Sequence, residues 1–300
     1  MEVRSKLFYW YAALVVAYVA LMLLPTPDHA TLVKYHLSAS GLRLINFAGA
    51  IPNAVIWFSA FFAAYKLQRY GQMIKESKEG RHITKLSKGL FLLAIALPTT
   101  TILSLTLGLL ARHYTGFSDT AVVITNYASL ILPSVAFLWL NAGAYGLSVT
   151  AKTRLPLPVL NAVLLLSIIL GVALCALINV GHAEVRNTYH LAPWVVMLTL
   201  AVPFMYIWTL GLLTVAQLRE YSLHLKGIVY RKSWRLFIAG LASIILISII
   251  IQYLTALNSW LTSLSLSWLL ALLFLLLLLL TAAFIVVALG TQRLTAIEEA

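Results

Sequence analysis

Eight long apolar runs dominate the sequence and leave a chain of this kind few folds. They cover residues 7–24, 43–65, 89–111, 120–147, 157–180, 194–216, 236–257 and 265–290. A helix needs about 20 mostly apolar residues to cross a bilayer, and each run is close to that length. The backbone in lipid must satisfy its own hydrogen bonds, and the runs do not alternate with period two. We therefore predict an all-α integral membrane protein with eight transmembrane helices, and the pattern excludes a β-barrel.

The composition agrees with a bilayer as the solvent. Hydrophobic residues make up 62% of the 300-residue chain and charged residues only 10%, whereas an ordinary soluble domain carries about 25% charged residues. The net charge of +12 comes from loops between the apolar runs, which indicates contact with anionic lipid headgroups rather than with nucleic acid. The first run exceeds the roughly 7–15 apolar residues of a signal peptide, so we predict that it is a membrane span.

The distribution of basic residues predicts the orientation. All but four of the 21 Lys and Arg residues lie at the termini or in the loops that would share a side with them. Loops rich in Lys and Arg stay in the cytoplasm. We therefore predict a protein of the plasma (cytoplasmic) membrane with both termini cytoplasmic.

The chain contains an internal duplication. The segments 29–90 and 182–241 both begin with His-Ala, pass through Tyr-His-Leu and end with Gly-Leu. Trp57 and Trp208 lie 151 residues apart, as do Tyr70 and Tyr221. Four spans in each copy give both copies the same orientation, so we predict two parallel four-helix repeats over residues 1–150 and 151–300.

Neutral polar residues and prolines mark a candidate solute path between the repeats. The spans contain no Asp, Glu, Lys or His near their centres, which argues against a proton-coupled pump. Amides within spans also serve as hydrogen-bond partners between helices, and proline is common in membrane helices, so a purely structural role stays open. The residues of the candidate path are Asn53, Asn126, Asn141, Pro52 and Pro203.

Histidines on the predicted outer side form a second candidate site. Imidazole nitrogens bind transition metals and ligate haem, and they titrate near neutral pH. Histidine also suits loops at the membrane boundary, and no helical His pair is present to force a shared ligand. The cofactor is left open. The candidate metal or haem ligands are His29, His36, His113, His182 and His190.

Basic residues in the inner loops form a third candidate site. In the two large inner loops, Leu67 and Tyr70 fall on one helical face, as do Leu218 and Tyr221, so we predict that these loops are helical extensions of their spans. The basic residues flank apolar spans, where solvated helix ends that fix the topology are the usual arrangement. They also suit anionic lipid headgroups or a cytoplasmic partner protein. The residues concerned are Lys75, Arg81, Lys226 and Arg231.

The sequence favours a function without catalysis. It contains no G-x-S-x-G, H-E-x-x-H, P-loop or G-x-G-x-x-G motif. The leading hypothesis is therefore binding or transport of a neutral or weakly charged solute between the repeats. The alternatives are a redox subunit that uses the outer histidines, and a sensor or assembly module that contacts a cytoplasmic partner. Packing against a second copy of the chain or a partner membrane subunit is left open.

One stretch suggests a resemblance to other proteins. Residues 51–58 read IPNAVIWF, and residues 77–81 read SKEGR. With these segments the chain resembles uncharacterised eight-span, two-repeat membrane proteins of reduced-genome bacteria. The resemblance implies the architecture and carries no function.

Overall fold

The computed structural model describes residues 9, 11–13, 15–18, 20, 39–113, 118–153, 155–181, 202–225, 227–258 and 266–299. Side chains are described over the N-terminal positions just given, 49–102, 130–153, 155–177, 202–225, 227–254, 257 and 271–298. Regular secondary structure in these residues is α-helical, and they contain no strand. After the helical residues within 9–20 come α1 (Ala39–Met73), α2 (Lys78–His113), α3 (Ser118–Thr150), α4 (Leu157–Gly181), α5 (Val202–His224), α6 (Ile228–Asn258) and α7 (Leu266–Glu299).

Six of these helices are long and apolar enough to cross a membrane. They are α1, α2, α3, α4, α6 and α7. The described part of α5 begins at Val202, inside the apolar run 194–216, so part of that run lies outside the described residues. The chain is thus all-helical in its described part, as expected for a multi-pass membrane protein.

Two predicted inner loops are largely helix. The inner ends of α1 and α5 continue to Met73 and His224, which confirms the predicted helical extensions of their spans. The turn between α1 and α2 covers only residues 74–77. Ser77 ends this turn, and its hydroxyl accepts the Gly80 N–H at 3.0 Å. It thereby satisfies one of the free donors at the start of α2, which is the usual role of serine at this position.

Contacts between helices follow a closed ring. Going round, α1 packs on α2, α2 on α3, α3 on α5, α5 on α6, α6 on α7, and α7 on α1. Helix α4 lies outside the ring against α5 and α6. The N-terminal helical residues lie against α1 and α2, where the Tyr11 hydroxyl donates to the Trp57 carbonyl at 2.7 Å and lies 3.1 Å from the Ala94 carbonyl. Each half of the chain therefore contributes three helices to the ring.

Glycines bring α2 and α3 into close contact. A Cβ on Gly89 would lie 2.8 Å from the backbone nitrogen of Leu140, and a Cβ on Gly143 would lie 2.8 Å from that of Leu86. Any side chain at these positions would force the helices apart. Small residues that allow such an approach are typical of helix contacts within membranes.

The same kind of contact joins α6 and α7. A Cβ on Gly240 would lie 2.8 Å from the backbone nitrogen of Val287, and a Cβ on Gly290 would lie 2.7 Å from that of Phe237. Gly240 follows Gly89 by 151 residues, and Gly290 follows Gly143 by 147 residues. The second offset is four residues, about one helical turn, shorter than the first. Both helix pairs therefore meet through a glycine on each helix.

We expect Gly89→Ala to lower the free energy of unfolding by about 1–3 kcal/mol, because the added methyl group must displace the backbone of α3. The measurement is thermal unfolding of the purified protein in mild detergent. Gly49→Ala is the matched control, since a Cβ there has nothing within 4 Å. Equal unfolding temperatures for the two variants would contradict the close contact between α2 and α3.

Candidate functional site

The candidate metal or haem ligands fall mainly outside the described residues. His29, His36, His182 and His190 lie there, and of His113 only the helical backbone at the end of α2 is described. Among the residues that the structure does describe, His, Cys, Asp and Glu form no group of three able to hold a metal ion. The hypothesis about the outer histidines stays a prediction.

Asn53 links the N-terminal helical residues to α1. Its side-chain amide donates to the Tyr18 hydroxyl at 3.0 Å, and Tyr18 is fully buried. The Tyr18 ring also packs on Trp57 with 4.4 Å between ring centroids. Pro52, next to Asn53, is buried in α1. This hydrogen bond suits the structural role that the sequence left open for Asn53.

Asn141 links α3 to α5. Its side-chain amide lies 3.5 Å from the Leu210 carbonyl and 3.5 Å from the Gln217 Oε1. Pro203, also on the candidate path, is half-buried as the second residue of the described α5. The side chain of Asn126 lies outside the described residues. Asn53 and Asn141 therefore bond within two different helix pairs rather than with each other.

A cavity of about 810 Å³ opens beside the Asn141–Gln217 pair. It lies where α3 and α5 end and α4 begins, so residues from both halves of the chain line it. This volume is within the roughly 300–1,000 Å³ of typical small-molecule sites. The lining residues are Tyr145, Ser148, Val149, Lys152, Thr153, Leu155, Leu160 and Gln217.

The wall of the cavity contains an unusual backbone turn. Lys152 has φ 55°, in the left-handed region, and is the one non-glycine residue with positive φ among those described. The Thr153 N–H donates to the Ser148 carbonyl at 2.9 Å, and the Lys152 N–H donates to the Val149 carbonyl at 3.1 Å. These hydrogen bonds form a common type of helix end, here that of α3. The residue in the left-handed conformation at such an end is usually glycine. The chain instead places a lysine there, at the rim of the cavity.

Helix packing leaves a groove leading away from the cavity. Helix α5 packs against both α3 and α4. The short connector 151–156 joins α3 to α4. Within the described ranges, however, these two helices do not pack along their length. Apolar side chains on both flanks are exposed, such as Tyr145 and Val149 on α3 and Leu164 and Ile168 on α4. The groove therefore has α5 as its floor and exposed apolar side chains on its flanks.

Two tyrosine–carboxylate bonds lie at the same end, one across the ring and one between neighbouring helices. The Tyr221 hydroxyl of α5 donates to Glu79 of α2 at 3.3 Å, and the Tyr230 hydroxyl of α6 donates to Glu298 of α7 at 2.8 Å. Burial raises the pKa of Tyr221 well above its usual range, and the nearby Glu79 raises it further. Tyr221 therefore remains a proton donor at neutral pH. Its bond ties the second half of the chain to the first.

The basic residues of the third candidate site differ in their surroundings. Lys75 and Arg81 are exposed at the corner between α1 and α2. Arg231 is half-buried, and its guanidinium donates to the Leu225 carbonyl at 3.0 Å, which holds it against the turn before α6. Lys226 lies outside the described residues. Of the four, Lys75 and Arg81 are thus the cations with exposed side chains.

The cavity lining offers binding groups rather than a catalytic set. Its described polar side chains supply hydroxyls, one amide and one ammonium group, and no carboxylate, histidine or cysteine is among the lining residues that the structure describes. Such groups orient and hold a ligand by hydrogen bonds and one positive charge. Comparisons of the chain with protein families, curated proteins and solved structures found no match.

Sequence reasoning singled out Asn141, which bonds to the lining residue Gln217, but missed the lining residues themselves. They lie near the ends of apolar runs or in a connector, where polar residues are expected for topology alone. The available signal was Lys152, because a lysine in a tight connector directly after a helix has to adopt a turn conformation. Gln217 lies two turns after Leu210 on the same helix face. It belongs to a predicted helical extension, and no sequence feature distinguished it from the other residues there.

We expect the Asn53–Tyr18 bond to contribute about 0.6–2 kcal/mol to the free energy of unfolding. Asn53→Leu and Tyr18→Phe should each lower the unfolding temperature, and the double variant should lose less than the two single losses together, because both remove the same bond. The measurement is a double-mutant cycle in detergent. Strictly additive losses would show that the two side chains act independently.

Proposed function

We propose that the chain is a non-enzymatic plasma-membrane protein that binds or passes a neutral or weakly charged solute between two four-helix halves. In this proposal the protein crosses the membrane eight times, with both termini in the cytoplasm. The six candidate spans, the helical residues within 9–20 and α5 correspond to the eight apolar runs.

Helix packing supports the two halves. The last helix of the first half, α3, packs on α5, and the last helix of the second half, α7, packs on α1. These two contacts join equivalent helices of the proposed repeats. The glycine contacts of α2 with α3 and of α6 with α7 also join equivalent helices. An approximate twofold axis along the membrane normal would relate such halves.

The cavity beside Gln217 is the observation that carries the proposed activity. It draws its lining from both halves, and its lining residue Gln217 pairs with Asn141 across the contact of α5 with α3. A polar side chain at a helix contact can also bond to a solute with hydrogen-bonding groups. Among the described lining residues Lys152 is the one charged side chain, which suits a ligand that is neutral or weakly negative.

We expect Val149→Trp to slow solute passage or weaken solute binding by roughly tenfold, the effect of about 1.4 kcal/mol of lost binding free energy, because the larger side chain fills the cavity. Proteoliposomes would be tested for swelling by light scattering with glycerol, urea and glycine. Binding of the same three solutes would be measured by thermal shift.

Leu165→Trp provides the matched control. Leu165 is exposed on α4, but it does not line the cavity. Leu165→Trp should leave both the swelling of the proteoliposomes and the thermal shift unchanged. A wild-type protein that responds to none of the three solutes, or equal effects of the two tryptophans, would contradict a solute site in this cavity.

A further inference from the structure

We propose that the ligand of this cavity is an anionic phospholipid drawn from the leaflet at the basic end of the helices. The phosphate would lie at Lys152 and the acyl chains in the groove between α3 and α4. This inference rests on the proposed function, in that it assigns a ligand class to the same cavity.

The first argument is the residue at the left-handed position. A side chain with a Cβ in this conformation costs on the order of 1 kcal/mol relative to glycine. The chain nevertheless carries a lysine there, at the end of α3. A cation does interact favourably with the end of a helix, but a lysine one turn earlier would do so without the strained backbone. The position of Lys152 instead makes the lysine part of the cavity lining, where its exposed side chain is within reach of a ligand.

The second argument is the charge and the donors of the lining. The Ser148 and Thr153 hydroxyls already donate to each other's backbone carbonyls, at 2.6 and 3.1 Å. Among the described lining residues, the donors without such a bond are the Lys152 ammonium, the Tyr145 hydroxyl and the Gln217 amide. These described residues include a cation and no carboxylate, so they complement a negatively charged group that accepts several hydrogen bonds. A phosphodiester has this chemistry.

The third argument is the apolar track that leads from the cavity. Leu160 lines the cavity, and Leu164 and Ile168 follow it at four-residue steps, so all three lie on one face of α4. Leu164 is 40% exposed and Ile168 is 53% exposed. Val149 on α3 lies on the opposite flank and is also exposed. A ligand that occupies both cavity and track has a charged head and a long apolar tail.

These features together favour a lipid over a free phosphate compound. A soluble phosphate would use Lys152 and leave the track empty, whereas a phospholipid uses both. The basic residues at this end of the helices would also attract anionic lipid to the leaflet near the cavity. Each nearby cation contributes about 1 kcal/mol of favourable free energy. Exposed examples are Lys78, Arg81 and Lys232.

The test measures lipid binding to the full chain in mild detergent. Dioleoyl phosphatidylglycerol, dioleoyl phosphatidylcholine and glycerol 3-phosphate would be titrated, with native mass spectrometry and thermal shift as readouts. We expect phosphatidylglycerol to bind most tightly and glycerol 3-phosphate to have no effect. Lys152→Met should weaken phosphatidylglycerol binding about fivefold and leave phosphatidylcholine binding unchanged.

Two further variants separate the role of the amine from that of the backbone. Lys152→Gly should lose the same lipid affinity while the lipid-free protein becomes no less stable, because glycine relaxes the left-handed turn. Lys232→Met removes an exposed lysine at the same end but outside the cavity. Because a mild-detergent micelle has no anionic leaflet for Lys232 to attract, this variant should bind phosphatidylglycerol in detergent like the wild type.

Three results would overturn the inference. They are equal binding of the two lipids, wild-type affinity in Lys152→Met, and competition by glycerol 3-phosphate as strong as that by the lipid. If Val149→Trp blocks glycerol, urea or glycine but leaves phosphatidylglycerol binding intact, the solute site stands and the lipid inference fails. If Val149→Trp changes neither solute nor lipid binding, both proposals fail.

Discussion

The close approach of backbones at four glycines is the contact on which the helix arrangement depends. Within lipid, helices gain little from burying apolar side chains, so they are held by close packing and by hydrogen bonds between them. Gly89 and Gly143 bring α2 against α3, and Gly240 and Gly290 bring α6 against α7. The looser contacts are those of α5 with α6 and of α4 with both of them.

The cavity follows from this unequal packing. Helix α3 is held on one side by α2 and meets α5 on the other, while α4 joins the bundle only through α5 and α6. The connector 151–156 is too short to move α4 far from α3, yet the two helices do not pack along their length. A lipid-facing groove with a polar end is the result. The polar pair Asn141–Gln217 lies where the groove meets the seam between the halves.

The sequence predicted the helical class and the basic end because apolar length and charge position are properties of the chain alone. It also predicted that Leu67 and Tyr70 continue a helix, and both are buried on α1. It did not predict which amides meet, since Asn53 pairs with Tyr18 across 35 residues and Asn141 with Gln217 across 76 residues. Which amides meet depends on how each helix is rotated about its own axis. Close packing between helices sets that rotation, and the hydropathy of the sequence does not show it.

A closed ring has a consequence for the order of assembly. Helix α1 leaves the ribosome well before its neighbour α7, so one face of α1 stays without its protein contact until α7 has been made. The Tyr230–Glu298 bond also forms only at that stage, because Glu298 lies on α7. The helices of the first half must therefore remain in the bilayer with part of their packing surface uncovered. Lipid or an insertion factor would shield that surface until the second half packs against it.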